Sequence, residues 1–109
     1  MVMSSFMRLL VMFDLPVTSA DERKAATKFR KFLLNDGYYM MQFSVYIRIC
    51  NGNEAAHKHL ARLQNHIPES GSVRAIMITE RQYGAMKILC GKKNADFDKN
   101  AAQQMILSL

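Results

Sequence analysis

Between Met7 and Thr79 the hydrophobic period switches from about two residues to about 3.6 and back, twice over. This succession limits the folds open to the chain more than any other feature. The run Met7-Arg-Leu-Leu-Val-Met-Phe-Asp14 is short and apolar and is stopped by Leu15-Pro16, as a buried strand would be. Alternation sets Leu9, Val11 and Phe13 on one face and Arg8, Leu10, Met12 and Asp14 on the other. After Pro16, Thr18 or Ser19 can cap a helix whose first turn places Asp21 and Glu22 against its positive end. The helix is expected to run to about Asp36 and to stop at Gly37. Ala25, Ala26, Phe29, Phe32 and Leu33 share its inner face, while Lys24, Lys28 and Lys31, flanked by Arg23 and Arg30, line an outer one.

From Tyr38 to Cys50 the pattern alternates again, with Met41, Phe43, Val45, Ile47 and Ile49 on one side and Met40, Gln42, Ser44, Tyr46 and Arg48 on the other. The stretch is too long for one typical strand and lacks the Gly or Asn of a tight hairpin. Two strands joined by a bend near Phe43 and Ser44 are therefore expected. Asn51-Gly-Asn53 opens a second helix reaching His66, with Ala56, Leu60, Leu63 and Ile67 as its buried stripe and Lys58, His59, Arg62 and His66 opposite. Pro68 to Ser72 reads as a loop, Val73 to Thr79 as a strand, and Ala85 to Leu89 as a further short strand.

The order strand, helix, strand, strand, helix, strand describes an α+β, ferredoxin-like βαββαβ fold with an additional C-terminal strand, both helices covering one face of an antiparallel sheet. Residues 1–90 form the domain, with 1–6 as an N-terminal extra, and residues 91–109 form an exposed linker and a sticky tail. The uncovered face would gather Arg8, Leu10, Met12 and Asp14 beside Gln42, Ser44, Tyr46 and Arg48, a mixed surface suited to a partner. With Phe13 and Phe43 turned toward the helices, Tyr46 is left nearly alone for base stacking, which argues against an RNA-recognition module.

Composition narrows the classes further. A 109-residue chain buries only about 65% of the surface its unfolded form exposes, so a self-associating face would help it. Nine Met and no Trp make the core adaptable. Fifteen Lys and Arg against nine Asp and Glu leave a net charge of +6 and a pI near 9.6, which favours a polyanionic partner. Arg8 interrupts the only apolar run near the start and Met1 to Phe6 has no basic region, so neither a membrane span nor a secretory signal is expected. The chain reads as cytoplasmic. Cys50 and Cys90 have no CxxC spacing and read as reduced structural thiols.

Asp14 is the foremost chemical candidate, since an acid ending an apolar strand costs strand propensity. Its plainest reading is a cap on the following turn or a pair with Arg8 or Arg48; its functional reading is a Mg²⁺ ligand, where two copies in a two-fold dimer share one ion. Ser44 could support a bound water or phosphate, or simply fit the local backbone. His57, His59 and His66 all lie on the second helix and read as solvated residues, and no phosphate-cradling glycine loop is present. The row Arg23, Lys24, Lys28, Arg30 and Lys31 can match backbone phosphates or serve as a solvated basic face.

Several segments, in order and spacing, resemble the CRISPR-associated Cas two family. They are Met7 to Pro16, Arg23-Lys24, Lys28-Phe-Arg-Lys-Phe-Leu33, Gln42-Phe-Ser-Val-Tyr46 and Thr79-Glu-Arg-Gln-Tyr83, and the Phe-Asp-Leu-Pro form is most similar to type II members. The resemblance covers Met7 to Leu89, leaves Met1 to Phe6 outside and sets Met7 where such chains would begin. It implies a homodimer with sheets face to face and the last strand exchanged. It further implies that this dimer bridges two dimers of the Cas one integrase and carries a double-stranded DNA prespacer on its basic surface during spacer acquisition. Metal-dependent ribonuclease or deoxyribonuclease activity is also implied, with Asp14 as the Mg²⁺ ligand and single-stranded RNA among its substrates. Gln103 to Leu109, with Met105, Ile106 and Leu107, would match a tail that docks on the integrase. The functions in contention are a DNA-bridging adaptation subunit, a dimeric Mg²⁺ endonuclease, and a toxin-like ribonuclease acting alone.

Overall fold

The computed structural model describes residues 6–91. Its elements are β1 (Met7–Asp14), α1 (Ala20–Asn35), β2 (Tyr39–Gln42), β3 (Val45–Cys50), α2 (Asn53–Gln64), β4 (Ser72–Thr79) and α3 (Glu80–Gly84). The strands form one antiparallel sheet in the order β2-β3-β1-β4. Leu9, Val11 and Phe13 of β1 share a single core with Phe29 and Leu33 of α1, Ala56 and Leu63 of α2, and Tyr46 and Cys50 of β3. Both long helices therefore cover the same face, which is the ferredoxin-like arrangement.

The first helix begins and ends where its sequence dictates. Ser19 is the N-cap: its hydroxyl accepts from Glu22 N–H at 3.1 Å, while the Glu22 carboxylate accepts from Ser19 N–H at 2.9 Å. The Thr18 hydroxyl donates to that same carboxylate at 2.6 Å and, with the Ser19 amide, holds it below the usual Glu range. At the other end Tyr38 N–H donates to Leu33 C=O at 2.9 Å and Gly37 N–H to Leu34 C=O at 3.2 Å, a Schellman closure. Gly37 has φ +92°, and a Cβ there would lie 2.8 Å from Arg48 Nε, so only glycine fits both the turn and the neighbour. Ala25 is exposed rather than part of the inner face, and on α2 Ile67 lies beyond the last turn and is exposed too.

The join between β2 and β3 falls at Phe43–Ser44, as expected, but the face assignment of β3 is reversed. Tyr46 stands opposite Val11 and is only 5% exposed, while Ile47 stands opposite Leu10 and Ile49 opposite Arg8. Cross-strand partners share a face, so Tyr46 and Arg48 lie on the helix side and Val45, Ile47 and Ile49 on the other. Phe43, expected under the helices, is 81% exposed. Alternation fixes which residues of a strand travel together; only the register against β1 fixes which set faces the helices.

The second correction concerns the end of the domain. Ala85 to Leu89 does not form a strand. Instead Thr79 caps α3 through a second reciprocal pair, its hydroxyl accepting from Gln82 N–H at 3.0 Å and its N–H donating to Gln82 Oε1 at 2.9 Å. Residues 80–84 fold back over the face opposite α1 and α2. There the Arg8 guanidinium donates to both oxygens of Glu80, to the Tyr39 hydroxyl at 2.7 Å, and lies 3.8 Å from the Tyr83 ring centroid. Burial alone would lower the Arg8 pKa, but the bonds to Glu80 and the field of Tyr39 outweigh it and raise the value, so Arg8 stays charged at 4% exposure.

Candidate functional site

Asp14 ends β1 on the face away from the long helices, opposite Ser72 of β4. Its side chain is exposed, and among the described residues it makes no ion pair. The two arginines that could have neutralised it bond elsewhere: Arg8 to Glu80, and Arg48 to the carbonyls of Asp36 at 2.8 Å and Ile49 at 2.6 Å. Next to it the sheet face shows Met12, Arg74 and Ile76 to solvent and Leu10 and Val45 in part. The loop before β4 approaches closely, since a Cβ on Gly71, at φ +100°, would lie 2.6 Å from the Asp14 carbonyl oxygen.

Ser44 lies in the β2–β3 turn rather than on the open face, at φ +64°. Its carbonyl accepts the Phe13 N–H at 3.0 Å, which pins the hairpin tip against the residue before Asp14. Asp14 and Ser44 are thus brought to the same end of the sheet. Phe43 crowns that tip; leaving its ring in water forgoes roughly 1.5–3 kcal/mol of transfer free energy, a cost that calls for a reason.

Of the basic row on α1, Arg23, Lys24, Lys28 and Lys31 are exposed. Arg23 turns back to the carbonyls of Val17 and Thr18, both at 3.3 Å. Arg30 leaves the row altogether, its guanidinium lying 5.7 Å from the Phe13 ring centroid and 5.9 Å from that of Phe43. Met105, Ile106 and Leu107 lie outside the described residues.

One charged cluster escaped the sequence reading. The buried Asp36 carboxylate accepts from His59 Nδ1 at 2.9 Å and from the Arg62 guanidinium at 2.7 Å, tying the end of α1 to α2. Beside it burial pushes the Tyr38 hydroxyl pKa up and that of the Cys50 thiol up to about 11. Cys50 is therefore a protonated core thiol, as its lack of motif suggested, and both cysteines are free. His57 and His66 are solvent-exposed as expected, whereas His59 is a bonded, half-buried residue.

The described residues bring together no group of three or more His, Cys, Asp or Glu that could hold a metal. What one chain offers a hard cation at this end is a single exposed carboxylate. That fits Mg²⁺, which commonly keeps several waters and takes one or two protein carboxylates, if a second carboxylate or a substrate phosphate completes the shell. No helix among the described residues is long and apolar enough to cross a membrane.

Fold and site thus define a small ferredoxin-like protein with one open sheet face, an exposed acid at its rim and a basic helix behind. Residues 7–86 match the family described as CRISPR associated protein Cas2, and the chain belongs to that family. It is 59% identical over 85 residues, 78% of this chain and 83% of the relative, to a protein of Acidovorax ebreus named CRISPR-associated endoribonuclease Cas2. Proteins of the same name from Flavobacterium psychrophilum, 46% identical over 87% of this chain and 83% of the relative, and from Ligilactobacillus salivarius, 42% identical over 93% and 100%, are similar throughout.

Proposed function

We propose that the protein is a metal-dependent endonuclease acting on RNA, working as a homodimer whose two Asp14 carboxylates hold Mg²⁺. The observation that carries this reading is the unpaired Asp14 at the rim of a sheet face that exposes Met12 and Ile76. A second copy covering that face would bury the apolar side chains and, by two-fold symmetry, present two carboxylates. The names of the relatives support the RNA substrate. Bound there, Mg²⁺ would lower the pKa of its water and polarise a phosphoryl oxygen. The chain's own contribution is to hold the ion through Asp14 and the polyanion through the lysines of α1. The test is cleavage of single-stranded RNA by purified protein in Mg²⁺, with and without EDTA. Asp14→Asn is expected to abolish cleavage as completely as EDTA does, and cleavage persisting at the original rate in that variant would reject the assignment.

A second reading rests on the exposed Lys24, Lys28 and Lys31. In it the dimer serves CRISPR adaptation, bridging Cas one integrase dimers and carrying double-stranded prespacer DNA by charge alone. Both readings use the lysines of α1 and only the first needs Asp14, so one protein can carry both activities.

A further inference from the structure

The nuclease reading leaves the most exposed aromatic ring of the sheet unused. Phe43 is 81% exposed, yet it is not on a loose loop. It occupies a two-residue turn whose second residue, Ser44, is held at φ +64° and is bonded through its carbonyl to Phe13 N–H. Arg30 reaches from α1 to within 5.9 Å of the ring centroid, inside cation–π range, and so helps fix the ring's orientation. Most of the ring surface still meets solvent.

We propose that Phe43, steadied by Arg30 at the tip of the β2–β3 hairpin, is a stacking platform for one unpaired base of a single-stranded nucleic acid. An anchored aromatic beside a guanidinium supplies both halves of what such a strand presents, a π-face and a phosphate. The turn touches β1 one residue before Asp14, so a base seated on Phe43 would lead its backbone past the end of β1 where the carboxylate stands. A duplex would gain little here, because its bases are already stacked on each other. The platform rests on the nucleic-acid reading above and adds to it the residue that selects an unpaired strand.

The test uses full-length protein and two probes, a single-stranded oligoribonucleotide with one 2-aminopurine and the corresponding duplex. On binding the single strand, 2-aminopurine fluorescence should fall as the base stacks. Phe43→Ala should weaken binding roughly 5- to 150-fold, the range expected for losing one base–aromatic stack, by the same factor at low and high salt, and should lose the quench. Phe43→Trp should keep both. Arg30→Gln should instead flatten the salt dependence, as losing a phosphate contact does. An unaltered affinity in Phe43→Ala overturns the platform, as does a loss that follows only a change in oligomeric state by analytical ultracentrifugation. Wild-type protein that binds the duplex but not the single strand overturns the platform and leaves nucleic-acid binding standing. Wild-type protein that binds neither overturns both.

Discussion

Replacing Glu80 by Gln tests the most concentrated electrostatic feature of the fold. Arg8 sits on a central strand at 4% exposure, and its charge is met by two oxygens of Glu80, one at 3.0 Å, with Tyr39 and Tyr83 completing the enclosure. Removing one partner of a fully buried pair costs about 3–5 kcal/mol, because the other charge is left desolvated. The Glu80 side chain is 26% exposed, so water can partly take the carboxylate's place. A cost of about 2–3 kcal/mol is then expected. For a domain of this size each kcal/mol moves Tm by roughly 4–8 °C, which puts the shift at about 10–20 °C. Urea and thermal unfolding followed by circular dichroism at one fixed protein concentration would measure it, since self-association would otherwise alter Tm. The double variant Arg8→Met, Glu80→Leu should recover much of the loss, because it removes the buried charge together with its partner. A penalty below about 0.5 kcal/mol for Glu80→Gln, the size of an ordinary surface change, would refute the reasoning that Glu80 compensates the buried Arg8 charge.

Two further outcomes follow from the charge and thiol placement. Replacing Lys24, Lys28 and Lys31 together by Gln should weaken duplex binding and reduce the slope of log affinity against log salt by up to about 2.7, at roughly 0.9 per phosphate contact. Asp14→Asn should leave that slope unchanged, and an unaltered slope in the triple variant would remove these lysines from the interface. Thiol titration at pH 8 should modify Cys90, which is exposed, and spare Cys50, whose pKa is raised to about 11 by burial, until the protein is unfolded. Equal reaction rates for the two thiols in the native protein would contradict the burial of Cys50.

Local signals were legible wherever one residue settles one backbone problem. Ser19 with Glu22 starts α1, Gly37 ends it, and Leu15-Pro16 stops β1, and each acts within a few residues of the bond it makes. The Thr79 and Gln82 pair is the same signal and starts α3. Asp14 stood out because an acid at the end of an apolar strand costs strand propensity. The Asp36, His59 and Arg62 cluster could not be read, because it joins residues more than twenty positions apart whose approach depends on how α1 packs against α2.

The reversed face of β3 changes the functional argument as well as the fold. Had Tyr46 and Arg48 lain on the open face, that surface would have been mixed and water-tolerant, with one aromatic ready for a base. With Tyr46 packed against Phe13 at 5.6 Å between ring centroids, it is closed to any ligand. In exchange Val45, Ile47 and Ile49 stand opposite Met12, Leu10 and Arg8; Ile47 and Ile49 are buried within the chain, and the apolar surface this face leaves to solvent is Met12 and Ile76, with Leu10 and Val45 in part. Such a surface favours a second protein layer over a nucleic acid, which supports its use in self-association. On the function proposed above, nucleic acid would be left the edges: the basic side of α1, the rim at Asp14 and the hairpin tip at Phe43. A dimer that buries the open sheet faces while keeping these rims in solvent can hold its metal ligands near the interface and still admit a polyanion from outside.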